Sequence, residues 1–119
     1  MRMRVSGTDN SSSNYRWSSG YVAMTSSSTI AGQNGAGLGT SFRVLAISSS
    51  GRNVSSLDFF NPFATEETQY LGNYQQIASN QFGQFVSGNT SVTTSYTGFT
   101  LLAGAGTMTG TVSVYGYNK

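Results

Sequence analysis

Hydrophobic and polar residues alternate with a period of two along much of this chain. In residues 107–117, Met108, Val112 and Val114 fall on one side, while threonine, serine and tyrosine residues fall on the other. Side chains of a β-strand point alternately to the two faces of a sheet, and β-branched and aromatic residues favour strands. The alternation therefore predicts strands near residues 1–6, 15–25, 40–48, 53–60, 70–78, 81–87, 90–95, 97–103 and 107–117, of which 90–95 and 97–103 could merge.

Clusters of turn-forming residues separate the predicted strands. They lie at residues 9–11, 32–39, 50–53, 88–89 and 104–106. The only proline, Pro62, has no backbone N–H for a sheet ladder and is expected to end a strand. Helix is predicted only over residues 64–71, as a turn or two. The chain is therefore expected to be all-β, an antiparallel β-sandwich or barrel with at most one short helix.

The chain has the length of one domain and an unusually uncharged composition. Of its 119 residues, 64 are Ser, Thr, Asn, Gln or Gly, and 8% are charged, against about 25% in typical domains. Its 13% aromatic residues and net charge of +2 exclude a disordered chain, and the scattered Arg residues do not favour nucleic acid as a partner. No apolar run is long enough for membrane insertion. Without cysteine, part of the stability is expected to come from contacts between copies.

Residues suited to catalysis are scarce. The chain has no His and no Cys, so the usual bases, thiol nucleophiles and soft-metal ligands are missing. Its acids are Asp9, Asp58, Glu66 and Glu67. A glycosidase needs two carboxylates at a set separation, and Asp58 with Glu66 or Glu67 is the only combination close in sequence. The alternative is that Asp58 bonds turn amides and that the two Glu residues lie in the first turn of a helix, which favours acids. Calcium would need several clustered oxygen ligands, for which Asp9-Asn10 and Asp58 with Asn61 are the candidates. No loop carries the usual run of acids, and we predict no enzyme activity, no cofactor and no metal.

The aromatic residues are the most informative side chains. Two polar neighbourhoods are rich in them, one holding Tyr15, Trp17 and Tyr21 and the other holding Tyr115 and Tyr117. Rings beside hydroxyls and amides suit sugar binding, because a ring covers the apolar face of a pyranose. The alternative is that Trp17 and Phe42 belong to the core and the tyrosines to a subunit interface, where Tyr is enriched. A third group is predicted to provide apolar anchors in the core or at an interface: Phe59, Phe60 and Phe63.

The threonine-rich side of residues 107–117 allows two interpretations. It is either solvated or packed against symmetry-related copies, since flat Thr and Ser faces accept cross-strand hydrogen bonds without burying charge. Repeated uncharged self-contacts are what a closed homo-oligomer needs. We therefore expect a homo-oligomer, with a trimer favoured.

Three segments resemble structural proteins of marine tailed phages, including cyanophages. They are residues 2–11 (RMRVSGTDNS), residues 54–63 (VSSLDFFNPF) and the C-terminal part, from GFTLL at 98–102 through TMTGTVSVYGYNK at 107–119. The resemblance implies a jelly-roll-like sandwich in a virion protein of the tail-fibre or structural type, with no catalytic residues to carry over. Relatives of this kind usually have further strands before the first segment. Residues 1–119 are thus expected to be one β-sandwich domain, either a shortened version or the C-terminal part of a longer protein.

The function expected from these observations is that of a non-enzymatic virion structural protein on the outer surface of a phage particle. A tail-fibre or tail-associated module, with other virion proteins and host surface polysaccharide as partners, is the first interpretation. A capsid decoration protein is the alternative, because the chain has no heptads, collagen repeat or other shaft signature. A stand-alone carbohydrate-binding module is the second alternative, and a polysaccharide-degrading fragment is disfavoured by the missing His and Cys.

Overall fold

The computed structural model describes residues 1–24, 30–34, 38–44, 51–77 and 81–117. Within those residues the chain is all-β and forms no helix, so none of the described segments could cross a membrane as a helix. The strands are β1 (Arg2–Val5), β2 (Thr8–Asp9), β3 (Tyr15–Ala23), β4 (Ile30–Asn34), β5 (Arg52–Phe60), β6 (Gln69–Ile77), β7 (Phe82–Thr90) and β8 (Gly98–Thr100).

The strands form two antiparallel sheets. The smaller sheet has the order β2-β1-β8, and the larger has the order β4-β3-β7-β6-β5. Strands β5, β6 and β7 follow one another along the chain and pair as neighbours, whereas β3 pairs with the distant β7. Two antiparallel sheets with a core between them are consistent with a β-sandwich.

The core is rich in tyrosine, and it joins the two sheets. The larger sheet contributes Tyr70, Tyr74 and Val86, and the first strand of the smaller sheet contributes Met3. The remaining buried apolar residues are Met1, Tyr15, Phe42, Val44 and Tyr96. In β6, buried and non-buried residues alternate from Gln69 to Ile77, which confirms the period of two predicted there.

Each buried tyrosine hydroxyl requires a hydrogen-bond partner, because an unsatisfied polar group is costly in a core. The Tyr70 hydroxyl donates to the carbonyl of Arg43 at 2.8 Å, and the Tyr74 hydroxyl donates to Oε1 of Gln84. Burial raises the pKa of Tyr70 and of Tyr74 above the ordinary value, because the phenolate would lose its hydration.

Two turns place residues in the left-handed region of backbone space. Ser6 (φ 48°) and Gly7 (φ 82°) join β1 to β2, and positive φ at both central residues is what a type I′ hairpin turn requires. The turn predicted at residues 9–11 is wrong at Asp9, which belongs to β2, whereas Asn10 and Ser11 lie outside the strands and Asn10 Oδ1 accepts from the N–H of Ser12 at 3.2 Å. Asn61 (φ 54°) ends β5 just before Pro62, so the strand end predicted at this proline is confirmed.

Most of the predicted strands are confirmed, but several assignments differ. Residues 1–6, 15–25, 53–60, 70–78, 81–87 and 97–103 each contain a strand of the structure. The strands predicted at 90–95 and 107–117 are wrong, as is the turn at 88–89, which lies inside β7. Of the strand predicted at 40–48, residues 40–44 form no strand and 45–48 lie outside the described residues. Of the loop predicted at 32–39, the first residues belong to β4 and 35–37 lie outside the described residues. Residue 50 of the predicted turn at 50–53 is likewise outside them, and Arg52 starts β5.

The short helix predicted over residues 64–71 is also wrong. Bends lead from Pro62 to Glu67, and β6 then starts at Gln69. Side-chain amides hold the two acids there: Asn61 Nδ2 donates to Glu66 at 2.9 Å and Asn89 Nδ2 donates to Glu67 at 2.7 Å. The contact from Asn89 comes from a distant strand, and together the two contacts favour an irregular connection over a helical turn.

Candidate interaction surface

The face of the larger sheet that points away from the core carries several exposed apolar side chains. We call it the outer face. Its apolar members are Val22, Ile30, Val54, Phe60, Leu71, Ile77 and Phe85. Exposed apolar residues that share one face indicate an interaction surface more strongly than the same residues scattered over a molecule.

A shallow groove of about 490 Å³ lies on this outer face, at the end where β5 finishes and β3 begins. Strand register places four side chains in one row across the sheet: Phe60, Gln69, Asn89 and Arg16. Neighbouring strands are about 4.8 Å apart, so the row is about 14 Å long. The groove thus presents an aromatic ring, two amides and a guanidinium along one line.

A second row borders the first and adds hydroxyls. Leu71, Ser87 and Ser18 are paired across β6, β7 and β3, and the two serine hydroxyls lie 3.3 Å apart. Asn89, which lines the groove, donates its Nδ2 to Glu67 and to the carbonyl of Thr90, and these two hydrogen bonds fix its amide plane. Such a mixture of apolar surface and fixed polar groups can bind a neutral or acidic sugar chain.

Of the residues predicted to contact glycan or an interface, Tyr15 has no surface to offer. It is 0% exposed and packs edge-on against Phe42, which is itself core as predicted. The Tyr15 hydroxyl accepts from the backbone N–H of Met3 at 3.0 Å and donates to the carbonyl of Asn10 at 2.8 Å. Burial raises the pKa of Tyr15 to about 12. The buried Tyr15 therefore does not contact a glycan or an interface, and instead its hydroxyl joins β3 to the smaller sheet through Met3 of β1.

Trp17 and Tyr21 lie on the inner side of β3 and are half-buried. The guanidinium of Arg43 stands over the Trp17 ring at 5.3 Å from its centre and donates to Gln33 Oε1 at 2.6 Å. The Tyr21 ring packs against Phe82 at 5.8 Å. The structure therefore brings Trp17 beside a cation and an amide, but it places neither ring on the outer face.

The two tyrosines near the C-terminus are strongly exposed, with Tyr115 at 85%. The Tyr117 hydroxyl donates to Oδ1 of Asp58. This hydrogen bond raises the pKa of Tyr117, because ionisation would remove the donated proton, and the negative charge of the carboxylate raises it further. Among the described residues, no hydrogen bond or ring contact joins Tyr15 or Tyr21 to Tyr115 or Tyr117.

The three predicted apolar anchors divide between core and surface. Phe59 packs on the core and stacks on Tyr70 with ring centres 5.8 Å apart. Phe60 points to the outer face and is 46% exposed, and Phe63 is 73% exposed. An anchor in the core thus holds for Phe59 alone, and the other two present their rings to solvent.

The acidic residues are each held by a different partner. Asp9 forms an ion pair with Arg4 at 3.2 Å and accepts from the Thr100 hydroxyl at 2.6 Å. Asp58 accepts from Tyr117, whereas Glu66 and Glu67 accept from Asn61 and Asn89. No group of three acids that could hold a metal ion occurs among the residues that the structure describes.

The groove residues Arg16, Gln69, Leu71 and Asn89 were not predicted from the sequence. They come from three strands, β3, β6 and β7, and only strand register places these strands side by side. The sequence does contain one signal for Leu71. Tyr70 and Leu71 are consecutive residues of a strand and must point to opposite faces, so one of these two apolar side chains has to face away from the core.

These features define a small all-β protein with two antiparallel sheets and an exposed, partly apolar outer face. Comparison with protein-family models, with curated proteins and with solved structures finds no match to this chain.

Proposed function

We propose that this protein is a non-enzymatic structural protein on the outer surface of a tailed-phage virion, part of the tail fibre or associated with the tail. It associates with itself, most favourably as a trimer, and with other virion proteins. The finer topology belongs to this proposal as well: a jelly-roll-like sandwich, the arrangement implied by the resemblance of residues 2–11, 54–63 and 98–119 to phage structural proteins.

One observation carries the proposal. Residues 102–117 are exposed throughout, and 107–117 have the sequence alternation of a strand, yet they pair with no described strand of their own chain. A small domain with only 8% charged residues gains little from such a segment as an isolated monomer. The segment does have a role in an assembly of many copies, where neighbouring chains satisfy its backbone groups.

Copy number in the particle is the decisive measurement. Virions of the phage that encodes the chain are purified, and the protein is quantified by mass spectrometry against a labelled standard. A few to some tens of copies support the tail assignment, whereas hundreds of copies support the capsid decoration alternative. Absence of the protein from purified virions contradicts both.

Binding of host surface polysaccharide is a second candidate function, favoured by the groove on the outer face. The row from Phe60 to Arg16 combines a ring, two amides and a guanidinium over about 14 Å, which suits a few sugar units. This function is compatible with a tail position and does not require Trp17, Tyr21, Tyr115 or Tyr117.

A further inference from the structure

The C-terminal segment, residues 102–117, belongs to neither sheet of the structure. No backbone–backbone hydrogen bond between described residues involves it, although each residue carries a donor and an acceptor. Its apolar residues Met108, Val112 and Val114 all share one parity and are exposed. The segment therefore has both the backbone and the side-chain pattern of a strand that pairs elsewhere.

Strand β5 offers a place for this segment. Strand β5 is nine residues long, and β6 is its only partner among the residues that the structure describes. Within the described part of the chain, the second edge of β5 thus has no strand partner, and such edges readily accept another strand. The hydrogen bond from Tyr117 to Asp58 shows that the end of the segment already reaches β5.

Parity fixes how the segment would lie on that edge. Asp58 points to the outer face, because its neighbours Leu57 and Phe59 turn toward the core. With Tyr117 beside Asp58, the residues of opposite parity, Val112 and Val114, turn to the inner side. On that side of the sheet lie Leu57 and Phe59, which are only half-buried in the single chain.

We infer that the C-terminal segment of one copy adds as an edge strand to β5 of a neighbouring copy, with Val112 and Val114 on the inner side of that copy's sheet. Exchange of an identical element costs little, because the contact between Tyr117 and Asp58 is made again in the neighbour. The linker Gly104-Ala105-Gly106 can change the direction of the segment, because glycine adopts many backbone conformations. No packing fixes the linker at its two glycines, where an added Cβ would meet nothing within 4 Å, and Gly106 already has a φ of 67°. This inference rests on the self-association proposed above and identifies its interface.

The absence of cysteine from the chain makes a direct cross-linking test possible. A double variant, Asp58→Cys with Tyr117→Cys, is oxidised and run on a denaturing, non-reducing gel. Strand exchange predicts covalent dimers and larger oligomers, and a mixture of the two single variants predicts a covalent heterodimer. The matched control mixture combines Tyr117→Cys with Ile30→Cys, an exposed position on β4 at the opposite edge of the larger sheet, and should remain monomeric.

Analytical ultracentrifugation distinguishes failure of strand exchange from failure of the proposed self-association. The wild-type chain should sediment as an oligomer, and the variant Val112→Lys with Val114→Lys should sediment as a monomer of unchanged circular dichroism. Lysines at two exposed positions outside the segment, Thr65→Lys with Thr93→Lys, should leave the oligomer intact. An oligomer whose cysteine variant forms only an internally linked monomer overturns strand exchange and leaves self-association standing. A monomeric wild type overturns both, while the virion assignment is still decided by copy number.

Discussion

Tyr70 and Gly88 face each other across β6 and β7, and the aromatic ring lies against the glycine. A Cβ added to Gly88 would fall 2.5 Å from Tyr70 Cε1 and 2.2 Å from the backbone oxygen of Arg16. The ring stays in place because its hydroxyl is bonded to the Arg43 carbonyl. The glycine is thus required by the packing of a core tyrosine and not by a turn.

Substitution at this position should be costly. Gly88→Ala forces the added methyl against backbone atoms that belong to a paired strand and cannot move independently. We expect a loss of about 2–3 kcal/mol in the free energy of unfolding, in the upper range for an overpacked core. Urea denaturation followed by fluorescence measures this loss.

Gly20→Ala is the matched control for the same change on the outer face. Its Cβ would meet only the end of the Phe85 ring, at 2.3 Å, and Phe85 is 55% exposed and free to rotate away. The expected loss is below about 1 kcal/mol. Equal losses for the two alanine variants would contradict the packing role assigned to Gly88.

The hydroxyl of Tyr15 gives a second prediction. Tyr15→Phe keeps the ring but leaves the N–H of Met3 and the carbonyl of Asn10 without this partner. Removing one partner of a buried hydrogen bond costs about 1–3 kcal/mol, and we expect a loss in that range. Tyr115→Phe, at an exposed position, should change the free energy of unfolding by less than about 0.5 kcal/mol. A loss at Tyr15 as small as that at Tyr115 would show that the hydroxyl does not stabilise the fold.

The strands of the larger sheet could be predicted because their alternation reports burial directly. Tyr70 and Tyr74 share one parity in β6, and both are buried. Residues 107–117 alternate just as clearly but form no strand in the single chain. Alternation tells which side chains share a face, but it does not supply the neighbouring strand that a ladder requires.

Strand β4 and the groove were missed for the opposite reason. The sequence of β4 (IAGQN) has turn-like composition, and β4 is a strand because its backbone pairs with β3. Gly88-Asn89 likewise has the composition of a turn, yet Tyr70 holds it inside β7. Register between distant segments sets these features, and no local pattern encodes register.

A third prediction concerns alkaline pH. The folded-state pKa values of Tyr15, Tyr70 and Tyr74 are raised above the ordinary value of 10.0 because burial disfavours the phenolate. An unfolded chain therefore releases these protons at a lower pH than the folded chain. The stability linked to them is complete below pH 10 and is lost as the pH rises above it, toward about 12 for Tyr15.

The measurement is the urea midpoint at a series of pH values that crosses pH 10, combined with the phenolate absorbance of the protein. The midpoint should fall above pH 10, and part of the tyrosine absorbance change should appear only together with unfolding. A midpoint that stays constant through this range, with all seven tyrosines titrating in the folded state, would contradict the burial of these hydroxyls.

A fourth prediction tests the groove as a sugar site. Phe60 supplies the only aromatic side chain of the groove that faces outward, and a ring covering a sugar face contributes strongly to binding. For a polysaccharide fragment that binds the wild-type chain on a glycan array, we expect Phe60→Ala to weaken binding about tenfold, equivalent to about 1.4 kcal/mol. Gln69→Ala, which removes the adjacent amide, should weaken it as well. Isothermal titration calorimetry gives both values.

Phe63→Ala is the control for the loss of an exposed phenylalanine, since Phe63 lies outside the groove and is 73% exposed. Its affinity for the same fragment should stay at the wild-type value, because no groove contact is removed. Equal weakening by Phe60→Ala and Phe63→Ala would place the sugar elsewhere on the surface. Failure of the wild-type chain to bind any glycan would leave self-association and contact with other virion proteins as the roles of the outer face, since an exposed ring at an interface between proteins needs no sugar to explain it.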